Sequence, residues 1–394
     1  MDAGNGKAGD GEREVPPKPL LRPRLGLDPV RGIGPREPED FRVEEILAYE
    51  PCGEGTHHFL RVEKTGLTTF EAVRRLGRAL GRPESDFGYA GLKDRRAVTV
   101  QTISIEHAEE EGLRRLEIEG LEILGITRHR NKVKLGHLSG NRFRLRIRAC
   151  RRGDGERARA ILDVLARKGL PNVFGPQRFG ARRATPELGR LLLAGEEEAF
   201  LGRCLEIGLR VPEGRTTRRR IRRLPRRFLS LCTASVQAEV FNRVLERRLP
   251  DLDRLQEGDL AFLHRNGAVF RVLDPEAERE RARSFEISPS GPLPGPEMPR
   301  PGGAPAALED EVCDALGVDP RAFALHAPWA QKGGRRPLRV PVLETRVREA
   351  SDGKDTDLEL SFRLPRGSYA TAVLAEVLEE GFSASSESLD PRRS

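Results

Sequence analysis

Asp94 is the side chain in this sequence best placed to do chemistry. It lies within Gly88-Tyr89-Ala90-Gly91-Leu92-Lys93-Asp94-Arg95-Arg96-Ala97-Val98-Thr99-Val100-Gln101, a lone carboxylate among basic residues just after a Gly-flanked turn. Val98, Val100, Ile103 and Ile105 then alternate, so the segment reads as a loop feeding a strand. A strand end holds a reactive group in a fixed pose. Lys93, Arg95 and Arg96 favour the charged form of a neighbouring carboxylate. An ionised Asp in basic surroundings suits nucleophilic or acid–base chemistry on a polyanion. Taken alone, the segment also reads as an ordinary turn, where Asp is common.

The elements that must position Asp94 can be read around it. Phe41, Val43 and Ile46 open a strand, and residues 58–63 alternate as a second. Thr68-Thr69-Phe70-Glu71 forms a capping box, with Phe70, Val73, Leu76 and Leu80 at helical spacing behind it and Gly81 as the stop. Residues 141–149 alternate cleanly: Phe143, Leu145, Ile147 and Ala149 on one face, Arg142, Arg144, Arg146 and Arg148 on the other. A helix over 156–168 ends at Gly169. A second region starts near Pro171 and contains a helix from Ser235 to Leu249 and a Pro/Gly-rich stretch from Ser288 to Pro305. Strand texture returns at residues 358–364, and a last helix runs from Tyr369 to Glu380. Residues 1–38 read as a flexible lead-in and residues 383–394 as a disordered tail. Strands and helices mix without strict βαβ alternation, which predicts an α+β fold with an antiparallel sheet and one domain interrupting another.

Composition narrows the partners. The 394 residues suffice for two or three domains; 37% are hydrophobic and 33% charged, with a net charge of +8 and a pI near 9.5. Most of the positive charge is Arg, whose planar fork matches phosphate. Two basic patches stand out: the Arg face of the 142–148 strand, and Arg215 to Arg227. Each reads either as a phosphate-contacting surface or as a solvated face. Aromatics are only 5%, which argues against a base-stacking sheet and for recognition of structured RNA by shape and backbone. The five cysteines are scattered, with no Cys-x-x-Cys, so no zinc site is expected. No signal peptide or membrane-length apolar run is present, and a cytoplasmic location is expected.

Several segments resemble the TruD family of tRNA pseudouridine synthases. They are Glu39-Asp40-Phe41-Arg42-Val43-x-Glu45, Ala90-Gly91-Leu92-Lys93-Asp94-Arg95 with Thr99-x-Gln101, Gly136-His137-Leu138-x-Gly140-Asn141-x-Phe143, and Asn172-x-Phe174-Gly175-Pro176-Gln177-Arg178-Phe179-Gly180. Ser288-Pro289-x-Gly291-Pro292-Leu293 and Leu364-Pro365-x-Gly367-Ser368-Tyr369-Ala370-Thr371 complete the set, in the family's order. The resemblance implies an enzyme without cofactor or metal that detaches uracil from its ribose, rotates it and rejoins it through carbon 5. The family's usual target is uridine 13 of tRNA. It implies a catalytic pseudouridine synthase domain with a largely antiparallel mixed sheet (39–170 and 344–382), interrupted by an inserted α/β TRUD domain (171–343). Asp94 matches the catalytic aspartate. Phe41, Phe143 and Tyr369 match an aromatic platform for the flipped base, Tyr369 standing where the family often has Phe. Asn141 matches an amide that pairs with uracil or holds Asp94. Nucleophilic attack at C1′ and abstraction of the C2′ proton remain alternatives. A monomer binding tRNA is expected; a non-catalytic RNA-binding protein and, more weakly, a metal-dependent hydrolase using Asp94 are the competing readings.

Overall fold

The computed structural model describes residues 26–180, 184–324, 329–351 and 356–379. The lead-in before residue 26 and the tail after residue 379 lie outside the described residues. The strands of the first half are β1 (Phe41–Leu47), β2 (His57–Thr65), β3 (Phe87–Tyr89), β4 (Val98–Glu106), β5 (Leu121–His129) and β6 (Leu138–Cys150), with helices α1 (Thr69–Leu80), α2 (Glu110–Arg114) and α3 (Asp154–Lys168). After the short β7 (Leu170–Pro171) come α4 (Thr185–Ala194), α5 (Glu197–Glu206), α6 (Thr217–Arg222) and α7 (Arg226–Arg248). Then follow β8 (Leu260–Leu263), β9 (Val269–Arg271), α8 (Arg279–Arg283), β10 (Ile287–Leu293), α9 (Gly303–Ala315), β11 (Gly334–Pro337) and β12 (Arg339–Val340). The chain closes with β13 (Leu343–Ser351), β14 (Thr356–Pro365) and α10 (Ala370–Val377).

Eight strands from both ends of the sequence share one sheet, in the order β13-β14-β6-β1-β4-β2-β5, with β3 also on β4. Only β1 and β4 are parallel; every other pair in it is antiparallel. The fold is therefore α+β with a mostly antiparallel mixed sheet. Residues 260–337 supply a separate four-stranded sheet, β11-β10-β8-β9. The chain leaves the large sheet through β7 and returns through β12, and these two segments pair antiparallel, Leu170 opposite Val340. Pro289 and Pro292 fit within β10 because it pairs with β8 through residues 287–289 and with β11 through 290–293, so neither ladder needs a full set of donors.

Apolar faces follow the expected periods with two corrections. Thr68 caps α1, and Gly81 ends it with φ near +63°, a left-handed conformation open to glycine. Val73 and Leu76 are buried against Leu60, Val62, Ile103 and Ile105 of the sheet. Phe70, however, is 50% exposed, edge-on to Tyr89. On β6, Phe143, Leu145 and Ile147 enter the main core with Leu358, Leu360 and Phe362 of β14 and with Ile161 and Leu165 of α3. Ala149 does not join them. It sits exposed at positive φ beside a register irregularity, where its amide donates to Asp357. The helix expected to begin at Ser235 begins at Arg226, because Leu229 and Cys232 are buried in a cluster with α4, α5 and α6 that the sequence pattern did not reveal.

A fully buried arginine closes the seam beside β7 and β12. Arg339 donates to the carbonyls of Lys168 (2.7 Å) and Ala282 (2.6 Å), and its guanidinium lies over Phe285. Burial pushes its pKa down to about 10. Two carbonyls and a ring face replace the missing carboxylate.

Candidate active site

Asp94 stands exposed in the loop between β3 and β4, and its surroundings are built from three directions. Beneath it is Lys64, the penultimate residue of β2, only 1% exposed. The ammonium of Lys64 donates to the Leu67 carbonyl and approaches the Asp94 carbonyl oxygen at 3.5 Å. Burial is the largest influence on Lys64 and pulls its pKa down to about 8; the Asp94 carboxylate pulls the other way. Sequence reasoning missed Lys64, although Leu60, Val62 and Lys64 fall on the inward positions of an alternating strand.

The second support comes from α1. The amide of Lys93 donates to Thr69 Oγ1 (2.9 Å), and that hydroxyl donates to Gln101 Oε1 (3.0 Å). This chain ties the loop to the first turn of the helix and to β4, which gives Gln101 a structural task. Arg95 reaches Glu71, the same carboxylate that accepts from Thr68 N in the capping box.

The third support is a buried polar triad. Lys93 Nζ lies 3.1 Å from Glu45 Oε2 and donates to Asn141 Oδ1 at 2.7 Å. Glu45 and Asn141 face each other across the β1–β6 ladder. Burial raises the Glu45 pKa, opposed by Lys93. Gly91 makes room for this ion pair: a methyl group there would stand 3.2 Å from Glu45 Oε2. The expectation that all the flanking cations serve Asp94 is thus revised. Lys93 and Arg95 are engaged by Glu45 and Glu71, and the cation behind Asp94 is Lys64.

The remaining site residues fall around this loop. Register places Phe41 level with Ala97, since Arg42 pairs with Val98. Phe41 is half-buried, its ring edge-on to Phe143 with centroids 6.3 Å apart. Phe143 is only 6% exposed and also packs on Phe362. Asn141 directs its amide oxygen at Lys93 rather than at Asp94. The turn after β14 abuts the same rim, because Leu364 pairs with Asn141 and Pro365 with Gly140, and Arg366 N donates to Ser139 O. Gly140 permits this closeness: a methyl group there would collide with the Leu364 carbonyl. Four residues past Pro365, Tyr369 is 50% exposed.

The two basic patches differ in character. Every Arg on the β6 face has a carboxylate: Arg142 with Glu44 and Glu344, Arg144 with Glu359, Arg146 with Asp357, Arg148 with Asp40. In the 215–227 run, Arg218 alone approaches one, Glu197 at 4.0 Å, among the described residues. Arg220 and Arg223 donate to the carbonyls of Pro212 and Glu213. Arg215, Arg219, Arg222, Arg226 and Arg227 remain exposed. The free basic surface is therefore the α6–α7 corner, not the strand.

Among the described residues no group of three or more His, Cys, Asp or Glu side chains could hold a metal ion, and no helix is long and apolar enough to cross a membrane.

A pH profile tests the Lys64 arrangement. Above about pH 8 Lys64 loses its proton and Asp94 loses the cation beneath it. Turnover by the parent chain is expected to fall on that alkaline limb. Lys64→Met should be slower by about 10²-fold and lack the limb. An unaltered limb in Lys64→Met would assign it to another group. Folding stability moves the opposite way: the folded pKa is depressed below the ordinary 10.5, so the cost of burying the charge is full below pH 8 and fades as pH rises to 10.5.

Comparison with known proteins agrees with this architecture. The profile of the family described as tRNA pseudouridine synthase D (TruD) matches residues 27–207 and 209–377. A tRNA pseudouridine synthase D of Geobacter sulfurreducens is 45% identical, covering 88% of this chain and 94% of its own. One from Thermus thermophilus is 42% identical over 92% and 93%. A solved Methanosarcina mazei structure assigned to tRNA pseudouridine synthase D superposes with a TM-score of 0.76 at 26% identity, over 90% of this chain and 95% of that one. Fold and similarity together define a pseudouridine synthase, an isomerase. The chain belongs to the TruD family.

Proposed function

We propose that this chain converts one uridine of tRNA, uridine 13, to pseudouridine, with Asp94 as the catalytic residue. The observation that carries the reading is an exposed carboxylate on a loop held by two buried polar networks, over a lysine that has almost no exposure. In the reaction the N1–C1′ bond breaks and a C5–C1′ bond forms; C5 gives up its hydrogen and N1 gains one, so no oxidant or reductant is consumed. The target nucleotide must leave its stack before Asp94 can reach the ribose. Asp94 then attacks C1′ or removes the C2′ proton. Phe41 and Tyr369 offer ring surface to the flipped base, and Phe143 backs Phe41 from the core. Asn141 Oδ1 is taken by Lys93, so its Nδ2 is the end that addresses the uracil edge.

The catalytic domain built on the large sheet carries this chemistry, and the insertion between β7 and β13 supplies a second wall for RNA. On that wall the α6–α7 corner meets phosphate. Reversing Arg215, Arg219 and Arg222 to Glu is expected to weaken tRNA binding and to lower the slope of log Kd against log salt by about one for each phosphate no longer neutralised. An unchanged slope would make the corner a solvated face.

The deciding experiment is a pseudouridine map of unmodified tRNA, by carbodiimide labelling, with and without the protein. A new mark at uridine 13 supports the reading. Salt-dependent binding with no mark would favour a non-catalytic RNA-binding protein.

A further inference from the structure

Two arginines at the seam between the insertion and the large sheet have no carboxylate partner among the described residues. Arg336, on β11, holds its guanidinium 4.3 Å from the Phe174 ring centroid and 5.6 Å from that of Phe241. It donates to the Asn172 main-chain oxygen (3.4 Å) and to Asn172 Oδ1. Arg178 lies over the same Phe174 ring at 5.1 Å. Neither has an ion-pair partner among the described residues. Two other buried arginines of the insertion are paired. Arg335, one residue earlier, is bidentate to Glu309 (2.7 and 2.9 Å), and Arg248 is bidentate to Asp259 (2.7 and 2.9 Å). Arg339, also without a carboxylate partner among the described residues, has no exposure; its two terminal nitrogens are taken by carbonyls and its face by a ring.

Arg336 differs from Arg339 in being partly exposed. Burial is the largest influence on it and pulls its pKa down to about 10; Tyr369 opposes that shift and the Arg178 charge adds to it. Placing two like charges together with no anion costs free energy unless a third group enters between them. Phe174 is firmly seated for this purpose: Asn242 accepts from its amide (2.8 Å) and donates to its carbonyl (3.0 Å). A ring fixed on both backbone groups is a rigid floor on which two planar forks can converge.

We propose that Arg336 and Arg178 grip one phosphodiester of the RNA, the linkage adjoining the nucleotide on which Asp94 acts. Tyr369 joins the two places: the next residue, Ala370, is buried in one core cluster with Phe174 and Phe241, and the turn before it abuts the strand that carries Asn141. The inference rests on the function proposed above and gives that site a backbone anchor. Phosphate is favoured over a protein carboxylate because the family acts on tRNA, and guanidinium forks match the paired oxygens of its backbone.

The test is a binding cycle on full-length tRNA transcripts, scored separately from isomerisation. One transcript carries a neutral methylphosphonate linkage on either side of the target uridine. Arg336→Gln and Arg178→Gln are each expected to raise Kd by about 10-fold on unmodified RNA. The methylphosphonate should weaken the parent chain similarly and leave Arg336→Gln unaffected. Arg336→Lys, which keeps the charge without the fork, should fall between. Fully additive losses at both linkages, or unaltered Kd in both Gln variants, would overturn the proposal. So would a lowered melting temperature with parental affinity, which would make Arg336 only a seam residue. If the parent chain binds tRNA with this signature but leaves no pseudouridine, the proposed reaction fails and the phosphate anchor stands.

Discussion

Asp94→Asn is expected to lose uridine isomerisation by about 10³-fold or more while keeping parental tRNA affinity and thermal stability. The size follows from removing the group that must act on the ribose, as nucleophile or as base. The sparing of stability follows from position. Asp94 is exposed, and its carboxylate makes no hydrogen bond or ion pair among the described residues, so an isosteric amide disturbs packing by no more than about 0.5 kcal/mol. Affinity should hold or rise slightly, because the carboxylate repels the phosphates around it. Single-turnover kinetics at saturating enzyme, with Kd measured in parallel, separate these effects. A variant that isomerises at a parental rate would remove Asp94 from the chemistry. Loss of binding together with activity would reduce it to a loop residue.

Lys93→Met should be the most damaging change near the site for folding, and its cost should grow with pH. Lys93 joins Glu45 and Asn141 in a place where both charged side chains are nearly sealed from water. Removing one partner of a buried pair typically costs about 3–5 kcal/mol. Glu45 can escape part of that by taking a proton, since burial already raises its pKa and Lys93 is the charge that opposes the shift. A carboxyl whose folded pKa lies above its unfolded value is stable at low pH. It loses stability as pH rises between the two values, by about 1.4 kcal/mol per unit. Urea unfolding at pH 6 and pH 8 should therefore show the larger deficit at pH 8. Glu45→Leu added to Lys93→Met should recover most of the stability, because an apolar pair can replace a buried ionic one. It should not recover activity, since Asn141 then lacks its anchor. Equal, small deficits at the two pH values would mean that the pair is not buried in solution.

The sequence carried the local parts of this architecture and lost the remote ones. The Thr68 cap, the Gly81 stop and the alternation of 142–148 depend on neighbours within a turn or a pleat, and all are observed. The antiparallel character of the sheet was legible from the mixture of elements, but the parallel β1–β4 pairing was not, because nothing local encodes it. Partner identity failed for the same reason. Arg142 meets Glu344 across 202 residues, and Arg146 meets Asp357 across 211, so a face that reads as basic in sequence is neutral in space. Lys64 was overlooked because a lysine on a strand reads as solvated. Only the place of β2 between β4 and β5 shows that it is enclosed. Asp94 itself was visible from its turn, whereas the hydrogen-bonded chain through Thr69 and Gln101 that immobilises it required coordinates.

The carboxylate-matched strand has a consequence for how a polyanion meets this molecule. Charges paired at 2.6–3.8 Å on β6 cancel within a few ångströms of the surface. Unmatched guanidiniums at the α6–α7 corner project a field over roughly 8 Å at physiological ionic strength. Between these two patches the unmatched positive charge is therefore sorted rather than spread. A molecule of this kind exerts torque as well as attraction, turning an approaching nucleic acid toward one side before the two surfaces touch. Orientation during encounter thus depends on the acids that silence the strand as much as on the arginines that attract, and deleting Glu344 or Asp357 would create a competing landing face without touching the catalytic loop.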